Sequence, residues 1–184
     1  MIPAIIVLTL AWGISSVCSR EQLDTAGYII SLIGDTVQPR FLPAIAFVAA
    51  GAMAVSIGSS FTTMGLMIPV FIPLSVAVLT ASADTTIAHE PVFLATVGAI
   101  LAGAIFGDHC SPISDTTVLT CLATRCDLMD HVTTQIPYAL LAGITSLVIC
   151  IVPTSHGLPW WLMLPLGFVV MVTAHRFMAR PVDA

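Results

Sequence analysis

The chain has 184 residues, of which 58% are hydrophobic and only 8% charged, and its mean hydropathy is +1.05. A soluble domain carries about 25% charged residues, so this composition excludes an ordinary water-soluble core and points to an all-α polytopic membrane protein. Ten acidic and five basic side chains give a net charge of −5 with no basic patch, which excludes nucleic acid as a partner and leaves the lipid bilayer as the expected one.

Taken in chain order, residues 1–19 carry no charge and suit one span, which needs about 20 apolar residues. They lack a basic leading segment and so do not read as a cleavable signal peptide. Residues 20–40 hold Arg20, Glu21, Asp24, Asp35 and Arg40, and read as an interfacial loop with a short apolar helix around 28–33. From 41 to 83 there is no ionisable charge. As a single helix this stretch would run to about 65 Å, roughly twice the hydrocarbon thickness, so it turns back. The glycines and hydroxyls of "SIGSSFTTMG" (56–65) mark the turn. Two full spans or a re-entrant hairpin over 41–82 both fit. The hairpin is the preferred reading, because its tip carries no charge to hold it at a surface. Such backbone is tolerated where protein or a watery cavity covers it. Ser59, Ser60, Thr62 and Thr63 would supply polar groups there, or would serve as hydrogen-bonding glue between helices.

A polar loop at 84–90 precedes a charge-free half-span at 91–106. "GDHCSPISDTT" (107–117) then interrupts the apolar run, which resumes as far as Thr124, so that 91–124 reads as one broken helix. "RCDLMDH" (125–131) reads as a surface loop, 136–152 as a span and "PTSHGLP" (153–159) as a turn. The last span, 159–176, opens on Trp160 and Trp161, whose amphipathic rings suit the headgroup region. Arg125, Arg176 and Arg180 on one side against Arg20 and Arg40 on the other place the C-terminus in the cytoplasm. Cys18, Cys110, Cys121, Cys126 and Cys150 are odd in number and show no Cys-x-x-Cys spacing. They suggest neither a disulfide framework nor a zinc site, and read as small packing residues.

The interrupted stretch carries the chemistry. Pro112 lacks a backbone N–H, clashes with the Asp108 carbonyl and pushes Ser111 out of helical geometry. With Gly107 it should break the helix, ending one segment near 107 and starting another near Ser114, which makes a good N-cap. Two half-helices would then meet at mid-membrane with free carbonyls on one side and free amides on the other. Such breaks bind ions in secondary transporters. Asp108, Ser111, Ser114, Asp115, Thr116 and Thr117 add hard oxygen ligands suited to Na⁺. Asp115 lies at the positive end of the second half-helix, where charge is favoured, and Asp108 at the negative end of the first. The expected ion site is Na⁺ at Asp108 and Asp115, with Asp108 exchanging the proton. His109 is either a second proton-coupling group or a neutral donor that braces the broken backbone. Buried ionisable groups in a membrane usually mark an ion path. No activated nucleophile stands beside a base, so no enzyme is expected. No cofactor is expected either, with Na⁺ entering as the transported ion.

At these residues the chain resembles the NhaC-type sodium/proton antiporter family. "LAWGISSVCSREQLDTAGYI" is similar to the family's Leu-Ala-Trp stretch, and "SIGSSFTTMGLMIPVFIPL" to its hairpin region. "GDHCSPISDTTVL" followed by "CDLMDHVTTQIPYAL" is the most specific match. Where the family reads Gly-Thr-Ser-Trp-Gly-Thr at the hairpin tip, this chain has Phe61 in place of Trp and Thr62 in place of Gly. The resemblance implies a secondary active antiporter of the bacterial-type plasma (inner) membrane that exchanges Na⁺ or another monovalent cation for H⁺. An organic-acid exchanger of the malate/lactate kind is the alternative on the same scaffold. Family members carry two inverted halves, each with this motif, and this chain carries it once. It therefore resembles the C-terminal half, to be completed by an N-terminal half, a second transporter half or a homo-oligomer. A truncated, non-transporting partner subunit is the remaining reading.

Overall fold

A computed structural model describes residues 38–82 and 91–178, together with Thr9, Gly13, Val17 and Tyr28. Most of the expected span 1–19 and of the loop 20–40, the loop 84–90 and Arg180 lie outside the described residues. All regular structure among the described residues is helical. A 3-10 turn at Pro39–Phe41 leads into α1 (Leu42–Ile57), followed by α2 (Ser60–Ser82), α3 (Pro91–Cys110), α4 (Asp115–Thr124), α5 (Leu128–Thr145), a π-type stretch at Ser146–Ile151, α6 (Val152–Ser155) and α7 (Trp160–Met178). Among the described residues five helical stretches are long and apolar enough to cross a membrane: Pro39–Ile57, Ser60–Thr80, Pro91–Cys110, Leu128–Ser155 and Trp160–Phe177.

Small residues set the core. Ala46, Ala50, Gly51 and Ala54 of α1 are buried, as are Ala99, Gly103, Ala104 and Gly107 of α3. These two helices make the most extensive contact in the fold. A methyl group added at Gly103 would run into the Phe47 carbonyl oxygen, and one at Gly107 into the Gly51 carbonyl oxygen. Gly103 and Gly107 stand four apart on one face, the spacing that lets membrane helices approach backbone to backbone. Phe47 and Phe106 stack beside this seam with ring centroids 5.7 Å apart. With no water to drive apolar surfaces together inside a bilayer, this close van der Waals packing is what holds α1 to α3.

The segment 41–82 turns back at Gly58 and Ser59, inside the expected turn at 56–65, as two helices each long enough to cross. Other boundaries differ from those expected. Helix α3 does not stop at Gly107. It continues to Cys110, because Gly107 is a packing residue against α1 and the enforced stop comes from Pro112. At 20 residues α3 is about 30 Å long, four residues longer than the expected 91–106. Helix α5 opens at Leu128, not at 136, because the Asp127 carboxylate caps it by accepting from the Met129 and Asp130 amides at 2.8 and 3.2 Å. That cuts the expected loop 125–131 to three residues. The helical path also runs on to Ser155, past the expected end at 152. Its turns widen at Ser146–Ile151, ahead of Pro153, whose missing N–H leaves the Ile149 carbonyl without its helical donor.

Candidate functional site

The tip of the α1–α2 turn and the α3–α4 interruption touch. Helix α1 ends on Gly58 in the left-handed region (φ 73°), with its N–H bonded to the Ala54 carbonyl at 2.8 Å. That reversal turns the Gly58 carbonyl toward the start of α4, where it accepts from the Asp115 N–H at 3.3 Å. The Ser111 hydroxyl donates to the Val55 carbonyl at 2.9 Å. A β-carbon at Gly58 would stand 2.8 Å from the Ile113 carbonyl oxygen, so the two turns fit only because this residue has no side chain. The end of α1 thereby meets the backbone start of α4 and the hydroxyl that follows α3.

Asp108 sits in the last turn of α3 and is 2% exposed. Both of its carboxylate oxygens are held from the start of α4. The Ser114 hydroxyl donates to Oδ1 at 2.8 Å, and the Thr116 hydroxyl donates to Oδ2 at 2.9 Å. The two hydroxyl oxygens also lie 2.8 Å from each other. Carboxylate and hydroxyls form a closed ring of three short oxygen–oxygen contacts. Ser114 occupies the N-cap position of α4 with extended backbone (φ −63°, ψ 133°), yet its hydroxyl caps nothing. It is drawn to Asp108 instead.

The other expected residues fall around this ring or away from it. Asp115 is exposed, its carboxylate accepts from the Thr116 N–H at 2.8 Å, and no hydrogen bond joins it to Asp108. Its negative charge complements the positive end of the α4 dipole. Ser111 and Thr117 are buried, with the Ser111 hydroxyl committed to α1. Pro112 is exposed in the turn. His109 is exposed on a different face of α3 from Asp108, and its Nδ1 lies 2.8 Å from the Ile105 carbonyl one turn back. That carbonyl belongs to the intact helix and not to the interruption. His109 instead lines a cavity of about 420 Å³ with Phe106, Gln135 and Tyr138, in which the buried Gln135 Oε1 has no hydrogen-bond partner. At the tip, Ser59 accepts from the Thr62 hydroxyl at 3.2 Å, and the Thr63 hydroxyl donates to the Ser59 carbonyl at 2.9 Å. These groups close the first turn of α2. Among the described residues none of the hydroxyls of Ser59, Ser60, Thr62 and Thr63 is hydrogen-bonded to Asp108 or Asp115. Sequence reasoning passed over the Val55 and Gly58 carbonyls, which no side chain advertises, and the Gly103–Gly107 spacing, which was there to be read.

A family model described as the Na⁺/H⁺ antiporter family matches residues 1–153. An uncharacterized protein of Haemophilus influenzae is 38% identical over 173 residues, covering 93% of this chain and 31% of the relative. The arginine/ornithine antiporter ArcD of Halobacterium salinarum is 37% identical over 109 residues, covering 59% of this chain and 20% of its own. The Na⁺/H⁺ antiporter NhaC of Alkalihalophilus pseudofirmus is 35% identical over 95 residues, covering 52% and 17%. The chain thus matches about a third or less of the length of these curated relatives. No solved structure matches it significantly.

Proposed function

Because the chain belongs to the Na⁺/H⁺ antiporter family, we propose that it forms one arm of a secondary transporter that exchanges Na⁺ for H⁺, with the Asp108 ring as the place where the two cations alternate. The hydrogen count of that ring carries the reading. Each hydroxyl owns one hydrogen, and an ionised carboxylate owns none. Three contacts of hydrogen-bond length therefore share two hydrogens when Asp108 is ionised. One proton on Asp108 completes the ring, each group then donating once and accepting once. A bound cation completes it differently, taking the same oxygens as ligands, and hard oxygens suit Na⁺. Proton and cation are alternative fillings of one vacancy, which is what exchange requires. On this reading the α3–α4 interruption is a discontinuous transmembrane helix covered by the tip of the α1–α2 hairpin. Asp115, exposed beside the ring, faces the half that completes the site.

The relative named an arginine/ornithine antiporter supports a second substrate class, because a carboxylate with hydroxyl neighbours also suits an organic cation. The described spans hold no Lys, and their Arg residues stand only near the ends at Arg40 and Arg176, which speaks against an organic-acid anion. The test is uptake of ²²Na⁺ into proteoliposomes holding the chain with its complementary half, against an imposed pH gradient, with labelled arginine run in parallel. Sodium uptake driven by the gradient and lost in Asp108→Asn is expected. Gradient-driven uptake that survives Asp108→Asn overturns the assignment, and arginine uptake without sodium uptake moves the substrate to the second class.

A further inference from the structure

A second cluster of ligating side chains lies at the far end of α4 from the Asp108 ring. Helix α4 ends on Arg125 in the left-handed region (φ 58°, ψ 34°), the only non-glycine among the described residues with positive φ. The amides of Arg125 and Cys126 both return to the Cys121 carbonyl. That tight reversal carries Cys126 back over Cys121, and Asp127 then starts α5 with His131 in its first turns. As a result Cys121 Sγ, Cys126 Sγ and a ring nitrogen of His131 all lie within 4.8 Å of one another. Among the described residues no hydrogen bond occupies either His131 ring nitrogen. The Thr124 hydroxyl donates to the Thr120 carbonyl at 2.8 Å and lies 3.2 Å from Cys126 Sγ.

We propose that Cys121, Cys126 and His131 form a binding site for a thiophilic metal ion of the Zn²⁺ class, separate from the oxygen ring at Asp108. Two sulfurs and one imidazole are the ligand types that select Zn²⁺ over Na⁺, Mg²⁺ or Ca²⁺. Metal–sulfur and metal–nitrogen bonds of about 2.3 and 2.1 Å in a tetrahedron set ligand separations of roughly 3.5–3.8 Å. Closing from 4.8 Å takes only small side-chain rotations. Cys126 is exposed and Cys121 buried beneath it, so the ion enters from the solvent side and is held against α4. Three protein ligands leave the fourth position to water, the arrangement of an exchangeable site and not of a closed structural one.

The test is titration of the reduced, detergent-solubilised full chain with Co²⁺, whose thiolate charge-transfer absorption reports sulfur ligation without any transport assay. One equivalent of Co²⁺ giving that absorption, and its bleaching by one equivalent of Zn²⁺, are expected. Cys126→Ser, a change at an exposed position, should remove it, and Cys150→Ser should leave it intact. His131→Ala should weaken Co²⁺ binding by more than the roughly 10- to 100-fold that loss of an outer partner costs. Absence of charge-transfer absorption at saturating Co²⁺, or its persistence unchanged in Cys126→Ser, overturns the site. Unchanged affinity in His131→Ala overturns the three-ligand assignment. Neither result depends on whether the Asp108 ring exchanges Na⁺.

Discussion

Asp108 is held by two hydroxyls that approach its two oxygens separately, so each can be removed alone. A hydrogen bond to a charged group contributes about 1.5–3 kcal/mol. Ser114→Ala and Thr116→Val are each expected to raise the sodium concentration for half-maximal exchange by about tenfold or more, the fold-change that corresponds to the low end of that range. Thr116→Ser keeps the hydroxyl and should stay near wild type. Half-saturation curves in proteoliposomes check this, and an unchanged Thr116→Val would detach the hydroxyl from the site. That Asp108 needs polar partners was legible in the sequence, since a carboxylate in an apolar run is costly without one. Its partners were only half legible. Ser114 reads as an N-cap by position, and the cap geometry is there, but its hydroxyl goes to the buried acid. That choice depends on how closely α3 and α4 approach, which local sequence does not encode. Asp115 was read as sharing the ion site with Asp108, and the structure leaves it exposed, with no hydrogen bond to that acid.

At the scale of elements, two glycine pairs separate backbone freedom from close packing. Gly58 and Gly157 both have positive φ, 73° and 91°, but a β-carbon meets Ile113 at the first and open space at the second. Left-handed backbone costs a non-glycine residue about 1–2 kcal/mol. Gly157→Ala should lose only that. Gly58→Ala should lose more, because the hairpin tip must also draw back from the α3–α4 turn, and thermal unfolding in detergent measures the difference. Similarly, Gly98 and Gly107 both lie within α3. Gly98→Ala has room and should hold or raise the melting temperature, by the roughly 1 kcal/mol that alanine gains in a helix. Gly107→Ala should lower it by an amount typical of overpacking, about 1–3 kcal/mol. Gly107 also explains a misreading. Taken alone, a glycine beside Asp and Pro looks like a helix breaker. Its role follows from Gly51 on another helix, and the helix runs straight through it. The stop at Pro112 was legible, because a proline ring excludes helix from local geometry alone.

At the scale of the whole molecule, the five apolar helices among the described residues and the antiporter family make the chain an integral, multi-pass membrane protein. Even α3, the most enclosed of the described spans, has only 44% of its most apolar 18 residues buried, and Trp160–Phe177 has 11%. Phe61, Leu122, Phe168 and Phe177 are each at least two-thirds exposed. Lipid or protein must cover them, and composition alone cannot say which. Coexpression of the chain with a complementary half is expected to raise its melting temperature in detergent and to protect Phe61 and Ile113, at the tip and the interruption, from labelling through introduced cysteines. Equal labelling with and without that half would mean that lipid covers this face. The Asp108 ring has a consequence at this scale. On the proposed exchange the ring takes one proton or one monovalent cation in turn, so its occupant carries the same charge in either direction, and traffic through this arm is indifferent to voltage. An imposed membrane potential should leave the exchange rate unchanged at a fixed pH gradient, and any electrical work the assembled transporter does must arise outside this ring.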